Sequence, residues 1–81
     1  MAKLTSEQRR AVIVMAGLRV ARDHGLWSVT HSSVAKRCTV PTSAPTVKMY
    51  FGTKAALWSA LIDADDTGEI ARVAQAQGIP T

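Results

Sequence analysis

The sequence has one cysteine, no long apolar run and no alternating apolar–polar segment. Because Cys38 stands alone, no disulfide can form within the chain, and nothing indicates an oxidising compartment. No apolar stretch approaches the roughly 20 residues of a membrane-spanning helix, and the first five residues, MAKLT, lack the apolar core of a signal peptide. We therefore expect a cytoplasmic protein with no membrane partner.

The absence of a strand pattern predicts an all-α protein. Its 81 residues suffice for one small domain with a thin core, in which only about two-thirds of the unfolded chain's surface can be buried. No repeat, low-complexity tract or linker divides the chain. We expect a bundle of four to five helices, with residues 1–65 as the main domain and residues 66–81 as a short C-terminal helix and tail for dimerisation or docking.

Charge is distributed unevenly along the chain. Residues 1–54 hold nine Lys and Arg against two acidic residues, whereas residues 55–81 hold one Arg against four acidic residues. The two parts therefore carry formal charges of +7 and −3, in agreement with the net charge of +4. A cationic body with an acidic end favours a polyanionic partner for the body. An ordinary solvated basic surface is the alternative.

Capping residues and apolar spacing predict where the helices lie. Thr5 and Gln8 have the spacing of a capping box, and the apolar residues that follow through Ala21 predict a first helix over about 6–23. Three more helices are each preceded by a hydroxyl cap: about 31–38 after Thr30, about 44–51 after Ser43 and about 54–65 after Thr53.

The segments around the first and last helices carry further signals. Gly25 follows the first helix where a left-handed residue is favoured, so Leu26 and Trp27 can fold back onto the apolar side of that helix. We expect Trp27 to lie in the core between the first two helices. Residues 66–69, DTGE, have the character of another cap, and a weaker last helix is predicted to run to Gln77.

Two short helices joined by a tight turn are typical of a helix-turn-helix, in which one helix holds the other in the major groove of DNA. Small outward residues let the helix backbone approach the bases, hydroxyls can bond to base edges or phosphates, and a methionine can contact a thymine methyl. The outward residues predicted on the third helix are Thr42, Ser43, Ala44, Thr46, Lys48 and Met49. A helical bundle with a solvated third helix is the alternative.

Residues 25–57, GLWSVTHSSVAKRCTVPTSAPTVKMYFGTKAAL, resemble the N-terminal DNA-binding domain of TetR-type repressors. The resemblance extends over about residues 9–62, and residues 46–57 carry its most specific part, the Thr-Leu-Tyr-x-His-Phe, x-Ser/Thr-Lys-x-x-Leu signature. It implies that Thr30 and Thr46 bond to phosphates and that Lys48 and Tyr50 contact the DNA backbone or bases. Lys54 would place its cation at phosphates beside the fourth helix. Core packing is the alternative for Tyr50.

The predicted DNA-binding set combines the outward residues, the neighbouring cations and the positions that the resemblance implies. Its members are Thr30, Lys36, Arg37, Thr42, Ser43, Ala44, Thr46, Lys48, Met49, Tyr50, Thr53 and Lys54.

The sequence departs from the family's pattern in three places. Two additional residues lie between Val40 and Thr46, and this segment contains two prolines, so the turn or the start of the third helix must be remodelled. Val47 and Lys48 replace the usual Leu-Tyr pair. TetR proteins continue into a long helical domain that dimerises and binds an effector, whereas this chain stops at Thr81. We therefore expect no small-molecule effector.

Metal and catalytic sites have weaker support. His24, His31 and Cys38 lack the spacing of a zinc site. Residues 63–68, DADDTG, resemble only the first half of a calcium loop, because Ala74 stands where a bidentate Glu is required. Nothing brings the serines, histidines and acidic residues together as a catalytic triad. We expect no metal, no cofactor and no enzymatic activity.

The pattern as a whole predicts a sequence-specific DNA-binding transcriptional regulator, a small repressor of phage or plasmid type. The alternatives are a DNA-binding accessory module of terminase small-subunit or recombination type, and a protein-interaction module with a basic face. Because one recognition helix covers few base pairs, we expect a homodimer. Its predicted interface is Leu57, Trp58, Leu61, Ile62, Ile70 and Val73. In the alternative, the last helix folds back over Trp58 within one chain.

Overall fold

The computed structural model describes residues 4–76, apart from the side chains of residues 69, 71, 73 and 74. This part of the chain contains α1 (Ser6–His24), α2 (His31–Arg37), α3 (Ala44–Phe51), α4 (Lys54–Ala64) and α5 (Glu69–Ala76), with a 3-10 turn at Leu26–Ser28. No strand occurs among the described residues, so the all-α prediction is confirmed. None of the helices within residues 4–76 combines the length and apolar character that a membrane span requires.

The first four helices begin at the predicted hydroxyl caps. In α1 the Gln8 N–H donates to Thr5 Oγ1 at 3.1 Å, and the Thr5 N–H donates to Gln8 Oε1 at 2.9 Å, which completes the capping box. The caps of the next three helices are Thr30, Ser43 and Thr53, whose hydroxyls accept N–H groups three residues later at 3.0, 3.3 and 3.2 Å. Each such cap contributes about 1 kcal/mol to helix stability.

The core lies between α1 and the helices that pack on it. Its fully buried large side chains are Ile13, Leu26, Val29, Val34, Val47, Leu57 and Leu61. At Gly17, a Cβ atom would lie only 2.7 Å from Leu61 Cδ2, so α1 approaches α4 more closely than a larger residue permits. α3 joins the same core through Val47 and Phe51, whereas Lys48 and Met49 of the same helix are exposed.

The expectation that Trp27 lies in the core is wrong, because 56% of this residue is exposed. Gly25 adopts a φ of 86°, a conformation that favours glycine, and the turn that follows directs Leu26 into the core instead. Successive side chains of a 3-10 turn point about 120° apart, so its neighbour faces outward. Trp27 contacts the ring of Trp58 edge-on, with 5.6 Å between the ring centroids and an interplanar angle of 88°.

A buried carboxylate attaches α5 to the rest of the bundle. Asp65 Oδ2 accepts the Ile70 N–H at 2.8 Å, while Oδ1 accepts the Thr67 hydroxyl at 2.9 Å and the Arg22 guanidinium at 3.1 Å. The cap expected within residues 66–69 is thus provided by Asp65, one residue earlier. The hydrogen bond from Ile70 is the main cause that lowers the pKa of Asp65, and burial partly opposes it.

The predicted dimer stripe is largely used within the single chain. Leu57, Leu61 and Ile70 are buried, so these three side chains are not available to a second copy. The physical reason is that α5 folds back onto the 3-10 turn while α4 packs against α1. Trp58 and Ile62 are half-buried, and the side chain of Val73 lies outside the described residues.

Candidate nucleic-acid interface

A six-residue connection joins α2 to α3 in place of the shorter turn of the TetR pattern. α2 ends at Arg37 and α3 begins at Ala44, so residues 38–43 connect them. Within this connection, the Thr42 hydroxyl donates to the Val40 carbonyl at 2.9 Å. Pro45 lies in the first turn of α3, where a missing N–H breaks no helical hydrogen bond. The additional residues therefore extend the connection and leave α3 intact.

The outward face of α3 is a mixture of apolar and cationic groups. Met49 is 76% exposed, and Pro45 and Lys48 are exposed beside it. Val47 and Phe51 lie on the opposite side in the core, where the guanidinium of Arg10 covers the Phe51 ring at 4.6 Å from its centroid. Among the predicted contact residues, Lys48 and Met49 are consequently the most available on this helix.

The hydroxyl-bearing residues at the start of α3 have internal partners. Ser43 Oγ accepts the Thr46 N–H at 3.3 Å and lies 2.9 Å from Thr46 Oγ1. Ser43 is exposed, whereas Thr42, Ala44 and Thr46 are half-buried. These groups therefore order the beginning of α3, and the hydroxyls retain lone pairs for a second hydrogen bond.

Tyr50 occupies the edge of the core. It is half-buried and packs against the buried cluster, unlike the neighbouring Met49. This placement favours the packing alternative for Tyr50 over a contact with DNA through the whole ring.

A long-range hydrogen bond fixes the start of α2 beside the corner between α3 and α4. His31 Nε2 lies 2.8 Å from the Gly52 carbonyl oxygen, and because that oxygen can only accept, the ring nitrogen carries the proton. Gly52 has a φ of 75°, which favours glycine, and its N–H donates to the Lys48 carbonyl at 2.7 Å. Sequence reasoning did not find this role of His31, since the two partners are 21 residues apart.

The start of α4 adds a cation to this corner. Lys54 is exposed, and its Nζ lies 5.2 Å from the centroid of the Trp58 ring. Trp58 in turn donates its Nε1–H to the Val29 carbonyl at 2.8 Å, directly before the Thr30 cap of α2. The first residues of α2 and of α4 are therefore held in one neighbourhood, together with the end of α3.

The segment that contains α2, α3 and most of α4 has no acidic residue. Residues 24–62 include Lys36, Arg37, Lys48 and Lys54 and not one Asp or Glu. Lys36, Lys48 and Lys54 are exposed and form no ion pair among the described residues. Arg37 differs, because its Nη2 is 2.9 Å from Asp23 Oδ2 of α1. The unpaired positive charge of this region therefore resides on the three lysines.

Within the described part of the chain, His, Cys, Asp and Glu side chains form no group of three that could hold a metal ion. Cys38, the residue that follows α2, donates its S–H to the Val34 carbonyl at 3.3 Å, a local contact at the end of that helix.

No protein-family model, curated protein or solved structure matches the chain. The resemblance to TetR-type domains over about residues 9–62 therefore remains a prediction from the sequence.

Proposed function

We propose that the protein is a sequence-specific binder of double-stranded DNA whose α3 enters the major groove. The observation that carries the proposal is the two-sided character of α3: Val47 and Phe51 anchor it in the core, while Lys48 and Met49 project to solvent. An α-helix with its side chains is about 10–12 Å in diameter, which fits a major groove about 12 Å wide.

Charge supports DNA as the partner. α3 lies within the acid-free segment 24–62, and the exposed lysines at positions 36, 48 and 54 can neutralise phosphates. In this proposal, Lys48 and Met49 contact base edges, whereas Lys36 and Lys54 contact phosphates. Phosphate contacts fix the orientation of the protein, and contacts from α3 select the sequence.

The biological role that fits this activity best is transcriptional repression in the cytoplasm. A repressor acts by occupying an operator, which requires DNA binding and no catalytic group. Because α3 alone spans few base pairs, the protein would bind as a homodimer to two half-sites. Sedimentation at micromolar concentration, with and without DNA, tests the dimer; a monomer under both conditions contradicts it.

The test of DNA binding is a titration of duplexes selected from a random library, at several salt concentrations. Because Lys48 contacts a base edge in this proposal, we expect Lys48→Gln to weaken binding about tenfold and to change the selected sequence. Arg72→Gln is the matched control, because it removes the same charge from an exposed position on α5.

Two results would contradict the proposal. One is the absence of salt-dependent binding to any duplex by the parent protein. The other is an equal loss of affinity in Lys48→Gln and Arg72→Gln, since a uniform response to charge indicates a basic surface without a recognition helix. Binding of an acidic protein in place of DNA would favour an interaction module with a basic face.

A further inference from the structure

Trp27 is the least expected exposed residue of the molecule. It is 56% exposed although its neighbour Leu26 is buried, and a small domain gains most by burying its aromatic rings. The ring is nevertheless supported: Trp58 contacts it edge-on, and Trp58 is itself anchored by the 2.8 Å hydrogen bond from its Nε1 to the Val29 carbonyl. Trp58 therefore holds the exposed ring of Trp27 in a fixed position.

Trp58 also contacts a cation. Lys54 Nζ lies 5.2 Å from the centroid of Trp58, within the range of a cation–π interaction. Trp58 thus contacts both Lys54 and Trp27. We call these three residues the tryptophan platform: an exposed aromatic ring and an exposed ammonium group, each resting on one half-buried indole.

The chemistry of the platform selects its ligand. A ligand that matches it carries an anionic group for Lys54 and an apolar face for Trp27, and the platform lies within the acid-free segment 24–62. A deoxyribose-phosphate unit has both features. The Val29 carbonyl that anchors Trp58 directly precedes the cap of α2, and the first residue of α2 is bonded to the Gly52 corner at the end of α3. The platform is therefore continuous with the α3 region.

We infer that the tryptophan platform binds the DNA backbone beside the base pairs that α3 contacts, with a phosphate at Lys54 and a deoxyribose on the exposed ring of Trp27. This inference rests on the proposed function. Trp58 acts here as a positioning residue, because it orients the two groups that touch the DNA.

Tryptophan fluorescence tests the contact directly. The protein has two tryptophans, and Trp27→Phe removes the exposed one, so the difference between the parent and this variant reports on Trp27 while Trp58 keeps its hydrogen bond to Val29. With a duplex from the selection experiment, we expect the emission of Trp27 to change and its quenching by acrylamide, a neutral quencher, to fall at least twofold.

Affinity measurements separate the apolar contact from the ionic one. Trp27→Ala should weaken binding of the same duplex about fivefold and leave the salt slope unchanged, because no charge is removed. Trp27→Phe should restore most of the affinity, and Lys54→Gln should lower the slope by about 0.9. Met15→Ala is the matched control, because Met15 is a comparably exposed apolar residue, 58%, on α1; we expect its affinity to equal that of the parent. Circular dichroism melts establish that each variant is folded.

The outcomes distinguish this inference from the proposed function. Salt-dependent DNA binding by the parent, with Trp27 still fully accessible to acrylamide and Trp27→Ala binding normally, overturns the platform and leaves the role of α3 intact. Protection of Trp27 that increases with protein concentration without DNA also overturns it, since a second copy then covers the ring. Absence of DNA binding by the parent protein overturns the proposed function itself.

Discussion

The α3 face and the α5 attachment use polar groups in opposite ways. At the α5 attachment, the fully buried carboxylate of Asp65 accepts hydrogen bonds from α5, from the loop before it and from Arg22 of α1. On the α3 face, Lys48 is exposed and has no ion-pair partner among the described residues. The charge of the α5 attachment is paired within the chain, whereas the charge of the α3 face is exposed to solvent.

This difference separates groups that maintain the fold from groups that can bind a ligand. A buried charge must be paired, because leaving it without partners costs several kcal/mol. An exposed ammonium group is hydrated at no such cost, and it can exchange water and counterions for a phosphate. Mutations in the two regions should therefore change different measurements: unfolding for Asp65 and DNA affinity for the lysines.

The largest effect on stability is expected at Asp65, and it tests the contrast between the two regions. Asp65→Ala leaves the Ile70 N–H and the Arg22 guanidinium without their acceptor, so we expect the free energy of unfolding to fall by about 2–3 kcal/mol. Asp63→Ala, at an exposed position on α4, is the control and should change it by less than about 0.5 kcal/mol. Urea titration monitored by circular dichroism measures both, and equal stability of the two variants would show that Asp65 does not attach α5.

Acid should weaken the same attachment gradually. The pKa of Asp65 lies below its ordinary value of 3.8, chiefly because the ionised form accepts the Ile70 N–H. A carboxyl group with a lowered pKa stabilises the fold above its unfolded-state pKa, and this contribution is lost as the pH falls through the folded-state pKa. We therefore expect the stability difference between the parent and Asp65→Asn to be constant from pH 7 to about pH 5 and to shrink below about pH 4.

Urea titrations of both proteins across this range provide the measurement. A stability difference that stays the same at pH 3 would mean that the charge of Asp65 contributes nothing beyond the shape of its side chain.

The predictable parts of this protein are those that depend on neighbours in sequence. Caps such as Thr30 with Ser33 join residues three apart, and they placed the starts of the first four helices correctly. The contacts that assemble the candidate interface are long-range: Trp58 with Val29 spans 29 residues. No periodicity in the sequence relates such partners, so the hydrogen bond that holds Trp58 beside the start of α2 could not be anticipated.

The two errors about apolar residues have one physical cause. A small core holds a limited number of side chains, and hydrophobicity alone does not say which candidates enter it. The conformation of Gly25 places Leu26 in the core and leaves Trp27 exposed. On α1, the absence of a side chain at Gly17 leaves room for the side chain of Leu61 to be buried. The sequence therefore led us to expect a buried Trp27, which is exposed, and an exposed stripe on α4, where Leu57 and Leu61 are buried.

The smallest expected effect concerns two adjacent cations of α2, of which Arg37 forms an ion pair and Lys36 forms none among the described residues. Arg37 is paired with Asp23, but 40% and 54% of these side chains are exposed, so Arg37→Gln should lower stability by less than about 0.5 kcal/mol. Lys36 is exposed without an ion-pair partner in the described chain, and Lys36→Gln should leave stability unchanged.

For DNA binding the order reverses: Lys36→Gln should lower the salt slope by about 0.9 and Arg37→Gln by much less, because the charge of Arg37 is already partly neutralised. Titrations of both variants at matched salt concentrations decide the matter. Equal slopes would mean that the Arg37–Asp23 pair opens on DNA, and Arg37 would then belong with the lysines as a phosphate contact.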